Sequence, residues 1–143
     1  MKIEVLRIDP ELPLPAHAHE GDAGIDLYAA EDISLDPRQR AAVRTGIAMA
    51  IPEGYAGFVL PRSGRALHEA LGVVNSPGLI DSGYRGEVRV LLINHGREHS
   101  IRITRGEKIA QLVVQQVSDV ELVEVEELPA SERGEGGFGS SGG

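Results

Sequence analysis

Apolar and polar residues alternate with a period of two along much of the chain. Ile47-Ala48-Met49-Ala50-Ile51 alternates large with small side chains. Val88-Arg89-Val90-Leu91-Leu92 and Ile101-Arg102-Ile103 alternate, at least at first, apolar with basic ones. A period of two sends successive side chains to opposite faces, so these segments predict strands with one face on a core. Ile109 to Val117 is nearly continuous apolar sequence with three glutamines, which predicts a strand buried on both faces. Turn signals punctuate these runs: Asp36-Pro37, Pro52-Glu53-Gly54, Ser76-Pro77-Gly78, Ser82-Gly83, Asn94-His95-Gly96 and Arg105-Gly106. Their spacing, roughly 8–12 residues, is that of an all-β sandwich or barrel. Only Arg65 to Leu71 reads as a helix, short, with Leu67 and Leu71 on one face. The pattern predicts an all-β fold, a β-sandwich or jelly roll with one short helix.

Composition narrows the function. A chain of 143 residues makes one domain with enough core to fold without staples. It has no cysteine, which removes disulfides and thiolate metal sites. No apolar run approaches the ~18 residues of a membrane span. Met1 to Arg7 contains an acid and no signal-like apolar region. The expected location is the cytoplasm, without a membrane partner. Net charge is −8, from 14 basic and 22 acidic residues. Seven of the acids fall between Asp119 and Glu135, against Arg133 alone, and the rest of the chain is nearly neutral. No basic stripe covers a face, so a nucleic-acid partner is not expected. Arginine outnumbers lysine 12 to 2. Most of these side chains read as a solvated face, but a few converging arginines suit a small polyanion, because Arg binds phosphate bidentately.

Three stretches are candidates for chemistry. Pro61-Arg62-Ser63-Gly64-Arg65 closes a strand and opens the helix. Arg62 and Ser63 there could hold a phosphate beside free backbone N–H groups, or Ser63 could simply cap the helix. Asn75-Ser-Pro-Gly-Leu-Ile-Asp-Ser-Gly-Tyr-Arg-Gly-Glu87 is the richest stretch. Pro77-Gly78 fixes a turn, so Asn75 and the backbone from Leu79 to Asp81 could form a rigid slot. The Asp81 carboxylate could take a proton from a positioned water, or it could close an Asx-turn, the commoner use. Tyr84 either floors a pocket or fills the core. The last eleven residues, from Arg133, include six glycines together with Phe138. Such a segment carries too little apolar surface to order itself. It is either a floppy terminus or a tail that closes over a ligand, with Phe138 as a stacking plate. His17-Ala18-His19 lacks a third ligand and is not read as a metal site. No G-x-x-x-x-G-K-[ST] segment is present, so the glycines do not make a P-loop.

Five segments, in order, resemble the trimeric all-β deoxyuridine triphosphatases (dUTP diphosphatases). They are Ala23-Gly24-Ile25-Asp26-Leu27-Tyr28-Ala29-Ala30, Pro61 to Gly64, Asn75 to Glu87, Gly106-Glu107-Lys108-Ile109-Ala110-Gln111-Leu112-Val113, and Arg133 to Gly142. The likeness runs from about residue 3 to the end. Two positions depart from the family pattern. Lys108 stands where Arg is common, and the last segment reads Gly139-Ser140-Ser141-Gly142 where Gly-Ser-Thr-Gly is usual.

The resemblance implies a jelly-roll domain over residues 1–132, including a C-terminal arm, and a flexible closing tail over 133–143. It implies hydrolysis of dUTP to dUMP and pyrophosphate with Mg²⁺. Asp81 would activate the water. Arg62, Ser63 and Gly64 would hold the phosphates, with Gln111 nearby. Asn75 and the backbone of Leu79, Ile80 and Asp81 would read uracil, with Arg89 on the adjoining strand and Tyr84 under the sugar. Asp26 would touch the metal through water only. Arg133, Phe138, Gly139, Ser140 and Ser141 would close the site. The family's assembly implies a homotrimer with shared active sites. Two other readings are a dCTP deaminase-like enzyme of the same superfamily and a non-catalytic nucleotide-binding jelly roll.

Overall fold

Eleven strands and one helix follow one another in the computed structural model, which describes residues 1–140 and residue 142. The strands are β1 (Glu4–Arg7), β2 (Ile25–Tyr28), β3 (Ile33–Leu35), β4 (Arg40–Arg44), β5 (Ile47–Ala50) and β6 (Tyr55–Leu60). Helix α1 (Ser63–Glu69) comes next, then β7 (Leu71–Val73), β8 (Gly78–Ile80), β9 (Arg89–Asn94), β10 (Ile101–Ile103) and β11 (Lys108–Gln116). One sheet has the order β2-β11-β6-β8 and another β4-β9-β7, with the two-stranded ribbons β1-β5 and β3-β10 completing the fold. All the pairings are antiparallel, and many join strands far apart in sequence. This is the expected jelly-roll sandwich. Among the described residues no helix is long and apolar enough to cross a membrane.

The period-two alternation explains the core. Val43 on β4 and Val90 and Leu92 on β9 face inward, while Arg40, Arg89 and Leu91 alternate outward. They meet Leu27, Val59, Ile80 and Leu112 from the other sheet in one apolar cluster. Each such side chain contributes about 1.5–3 kcal/mol by leaving water. One polar group lies wholly inside. The Asn94 amide donates to the Leu35 and His99 carbonyls, both at 2.9 Å, and its oxygen accepts from the Gly96 N–H at 2.8 Å. These bonds tie β3, β9 and the turn before β10 together, which offsets the cost of burying an amide.

Two expectations need correction. The helix runs Ser63–Glu69 rather than 65–71. Leu67 is 79% exposed, and Leu71 lies buried in β7, so the two leucines share no face. The helix ends because Ala70 turns left-handed (φ 58°) and its N–H bonds back to the Arg65 carbonyl. Nor is β11 buried throughout: Ile109, Ala110 and Leu112 are buried, but Gln115 and Gln116 are exposed. Beyond it, residues 117–130 form no strand or helix and expose Val120, Leu122, Val123, Val125 and Leu128.

Candidate active site

A cavity of about 550 Å³ opens where β2, β11 and the start of α1 meet. Three parts of the sequence build it. The loop before β2 supplies His19, Asp22 and Gly24, the cap and first turn of α1 supply Arg62, Ser63, Gly64 and Arg65, and β11 supplies Gln111. Asp26 lies on its floor, 8% exposed. Strand pairing places Gln111 between Asp26 of β2 and Leu60 of β6. Its amide donates to the Pro61 carbonyl at 2.9 Å, so this one side chain links β11 to the start of the Arg62 turn. Gly24 lies so close to Gln111 that an added Cβ would stand 2.4 Å from the amide oxygen.

The electrostatics of the cavity centre on Asp26. Arg62 Nε is 3.1 Å from one of its carboxylate oxygens, and Lys108 Nζ is 2.6 Å from the other. Arg65 also reaches the rim but is engaged elsewhere. It bonds Glu69 through Nε (2.6 Å) and Nη2 (3.1 Å), and Glu107 through Nη1 (3.3 Å). The Glu69 bonds raise its already high pKa against the opposing effect of partial burial. Arg62 and Lys108 are thus the cations closest to the cavity's carboxylate. Ser63 is not a cap. Arg62 occupies the cap position, no side chain bonds the helix start, and Ser63 and Gly64 stand exposed to the cavity.

The second group of expected residues lies apart from this cavity. Asn75 is exposed before β8, with its amide near Gly78. Leu79 is exposed while Ile80 points into the core, so β8 offers its backbone rather than the Ile80 side chain. Asp81 follows at the surface. Its backbone oxygen accepts from the Tyr84 N–H at 3.1 Å, and its carboxylate makes no hydrogen bond or ion pair among the described residues, so the turn is not an Asx-turn. Tyr84 does not fill the core. It is 45% exposed, and its hydroxyl donates to the Glu87 carbonyl at 2.9 Å. The ring crosses Gly86 so tightly that a Cβ there would stand 2.5 Å from the hydroxyl. Arg89 opens β9, exposed and opposite Arg44.

One chain does not join the two groups. β2, which carries Asp26, and β8, which leads to Asp81, are opposite edges of the four-stranded sheet. Three strand spacings separate them, about 14 Å. The tail is separate again. Among the described residues, hydrogen bonds from 131 to 142 close within that segment, including Arg133 Nε to the Gly136 carbonyl at 2.7 Å. Phe138 is fully exposed, Gly139 follows it, and Ser140 bonds back to Gly137. Ser141 lies outside the described residues.

The dUTPase family model matches residues 10–142. The chain belongs to the dUTPase family. It is 56% identical over 143 residues to the deoxyuridine 5'-triphosphate nucleotidohydrolase of Thermobifida fusca, covering 100% of this chain and 80% of that protein. It is 58% identical over 146 residues to the protein of the same name from Mycobacterium marinum, covering 99% and 95%. Among solved structures, a mutant dUTPase of Staphylococcus bacteriophage 80alpha with dUpNHpp superposes with a TM-score of 0.91 at 34% identity, covering 99% of this chain and 98% of that one. A mutant dUTPase from phage phi11 of Staphylococcus aureus, described with a structural Mg(II) ion, gives 0.83 at 28% identity, covering 89% and 98%.

Several members of this cavity have no role assigned from the sequence. His19, Asp22 and Gly24 line it, and Lys108 reaches its carboxylate. Asp22 and Gly24 lie within four residues of Asp26, so proximity to that aspartate was the available signal. Lys108 was marked only as a departure from the family pattern, because its aim depends on strand register.

Proposed function

We propose that this chain hydrolyses dUTP to dUMP and pyrophosphate, as a homotrimer whose active sites are shared between chains. The observation that carries the reading is the cavity of Arg62, Ser63, Gly64 and Gln111 in a dUTPase-family chain. The triphosphate lies there, held by the Arg62 guanidinium, the Ser63 hydroxyl and the Gly64 N–H. Phosphoryl transfer asks mainly for positioning and charge stabilisation, which such a cavity supplies. Asn75 and the backbone of Leu79, Ile80 and Asp81 read uracil, beside Arg89, and Tyr84 packs under the deoxyribose. The Asp81 carboxylate takes a proton from the attacking water. That water's oxygen bonds to the α-phosphorus as the bond to the bridging oxygen breaks and pyrophosphate leaves. Thymine is rejected sterically. Cytosine would leave the slot's backbone groups unpaired, at a cost of up to ~10⁴ in discrimination.

The residues fit Mg²⁺ carried by the substrate. The cavity offers the Asp22 and Asp26 carboxylates, and no cluster of three or more metal-ligating side chains is present among the described residues. Mg²⁺ keeps several waters and needs only one or two carboxylates beside substrate phosphates. Asp26 would hold its water shell, and the ion would neutralise phosphate charge.

Two features support the shared site. The width of the sheet separates the phosphate cavity from Asp81 within a chain. The arm after β11 also exposes a run of apolar side chains that a neighbouring chain would cover. On this reading residues 1–132 are the domain and its arm. Residues 133–143 are the tail, whose Arg133, Phe138, Gly139, Ser140 and Ser141 close the site with Phe138 over the uracil ring. In the cytoplasm the reaction lowers dUTP and supplies dUMP for thymidylate synthesis.

The test is to incubate the protein with Mg²⁺ and each nucleoside triphosphate in turn. dUMP and pyrophosphate should form from dUTP far faster than products form from dTTP, dCTP or UTP. Ammonia released from dCTP would mark a deaminase instead. Tight dUTP binding without turnover would mark a nucleotide-binding jelly roll.

A further inference from the structure

The start of β11 is out of step with β2. Lys108 lies opposite Tyr28, but Ala110 lies opposite Leu27, so two steps on β11 match one on β2. Side chains alternate faces along a regular strand. Without this irregularity Lys108 would share the face of Ala110, which is wholly buried. The extra residue is a bulge, and a bulge re-aims the side chains beside it. It brings Lys108 to the face of Gln111 and Asp26, where the lysine Nζ meets the aspartate at 2.6 Å. Ile109 and Ala110 remain buried, so the core keeps its apolar contacts while the cation leaves it.

The result is one carboxylate between two cations. Arg62 takes one oxygen of Asp26 and Lys108 the other. We propose that Lys108 is a positioning residue for the triphosphate: by occupying one oxygen of Asp26 it keeps Arg62 available to phosphate. The inference rests on the dUTP reading for the identity of the physiological ligand. With Lys108 in place the trio carries one net positive charge. With Lys108 neutral, the charge is zero, and Asp26 can draw both sides of the Arg62 guanidinium into a bidentate pair. An arginine closed on an internal carboxylate is a poor anion ligand. Arg65 cannot take over, because Glu69 and Glu107 already hold it.

The test uses inorganic triphosphate and dUpNHpp as ligands, measured by calorimetry on the full chain. Lys108→Gln should weaken binding of both by about tenfold and raise KM for dUTP alike, with kcat within about threefold. Lys108→Arg, which keeps the charge, should bind like the parent. In an Asp26→Asn background the Lys108→Gln change should cost almost nothing, because no carboxylate is left to balance. An equal loss in both backgrounds would mean that Lys108 touches phosphate directly and would overturn the proposal, as would full binding by Lys108→Gln. A measurement on the unaltered protein guards against misfolding of the variants. Adding triphosphate should shift the Arg62 Nε–H resonance and leave the Lys108 ammonium signal in place; the reverse pattern refutes the proposal. Neither titration depends on turnover. Triphosphate binding with this pattern in a chain that leaves dUTP intact would support the role of Lys108 and refute the proposed function.

Discussion

The Asp26 cavity and the C-terminal tail are built in opposite ways. The cavity is braced from three parts of the chain: Gln111 holds the Pro61 carbonyl, and Asp26 holds Arg62 and Lys108. Its floor residue is nearly buried, and Asp26 and Gln111 anchor it to adjacent strands of the four-stranded sheet. The tail from Ser131 to Gly142 bonds only to itself among the described residues, and Phe138 is bare. A braced site meets its ligand with little further ordering. A segment without a core of its own must be ordered when ligand arrives, at about 1–2 kcal/mol per residue of backbone entropy. Under the proposed function the two would divide the labour, the cavity supplying affinity and the tail closure after substrate has bound. Asp81 belongs to neither region, and its carboxylate is unengaged among the described residues.

The largest effect should come from that unengaged carboxylate. Asp81→Asn keeps shape and hydrogen bonding but removes the proposed base. Turnover of dUTP should fall by at least ~10², while dUTP binding stays within about tenfold. Steady-state kinetics beside calorimetry separates the two. Near-normal turnover would move the chemistry back into the cavity and erase the contrast.

Next comes the assignment of loop and tail to different chains. One variant carries Asp81→Asn with its tail intact, and the other keeps Asp81 but stops after Glu132. Unfolded and refolded together in equal amounts, they scramble. If the two groups act from different chains of a closed trimer, random assembly restores about one quarter of the sites. If they act within one chain, no mixed trimer contains a whole site. Background activity, with mixed trimers seen by native mass spectrometry, would join loop and tail on one chain.

Legibility in the sequence followed the range of the interaction. The alternation of Ile101 to Ile103 marks a strand because burial there is decided face by face, whereas Ile47, Ala48 and Met49 are buried on both faces of β5. The helix is displaced because Leu67 and Leu71 have helical spacing, yet Leu71 is claimed by pairing with Asn94 on β9. Tertiary pairing overrode a local period. Arg62, Ser63 and Gln111 were readable as motif members, and the structure gathers them with Asp26. Lys108 was not readable as a partner of Asp26, because its direction depends on a register slip against a strand some 80 residues away. The separation of Asp81 from the cavity was invisible for the same reason: it depends on which strands are sheet edges.

A smaller effect should follow from loosening the brace. Gly24→Ala places a methyl group against the Gln111 amide, whose Cβ would also lie 3.3 Å away. The amide end can swing aside, so the fold should survive with a loss of about 1 kcal/mol. The bond from Gln111 to the Pro61 carbonyl is then lost and the Arg62 turn loosens. KM for dUTP should rise by about tenfold and kcat change less. Because the tail does not touch this brace, tail closure followed by backbone order parameters at saturating ligand should be unchanged. A fall in kcat with KM intact would show that the cavity also governs closure.

The smallest effect concerns an ion pair outside both regions, which serves as a control on their electrostatics. Arg105 donates to Asp9 through Nε at 3.0 Å and through Nη2 at 2.8 Å. Those hydrogen bonds hold the Asp9 carboxyl below its ordinary pKa, ahead of the opposing effect of desolvation. A carboxyl whose folded pKa is depressed stabilises the fold above its unfolded pKa, about 4, and loses that contribution as pH falls through the folded value. Both side chains are solvent-screened, so the contribution is small. Asp9→Asn should therefore lower Tm by about 2 °C near pH 6, and the gap from the parent should close as pH drops from 5 towards 2. Triphosphate binding should be untouched throughout, because the pair lies outside the cavity lining. A gap that widens on acidification would mean that Asp9 is stabilised in its protonated form and that Arg105 does not hold it.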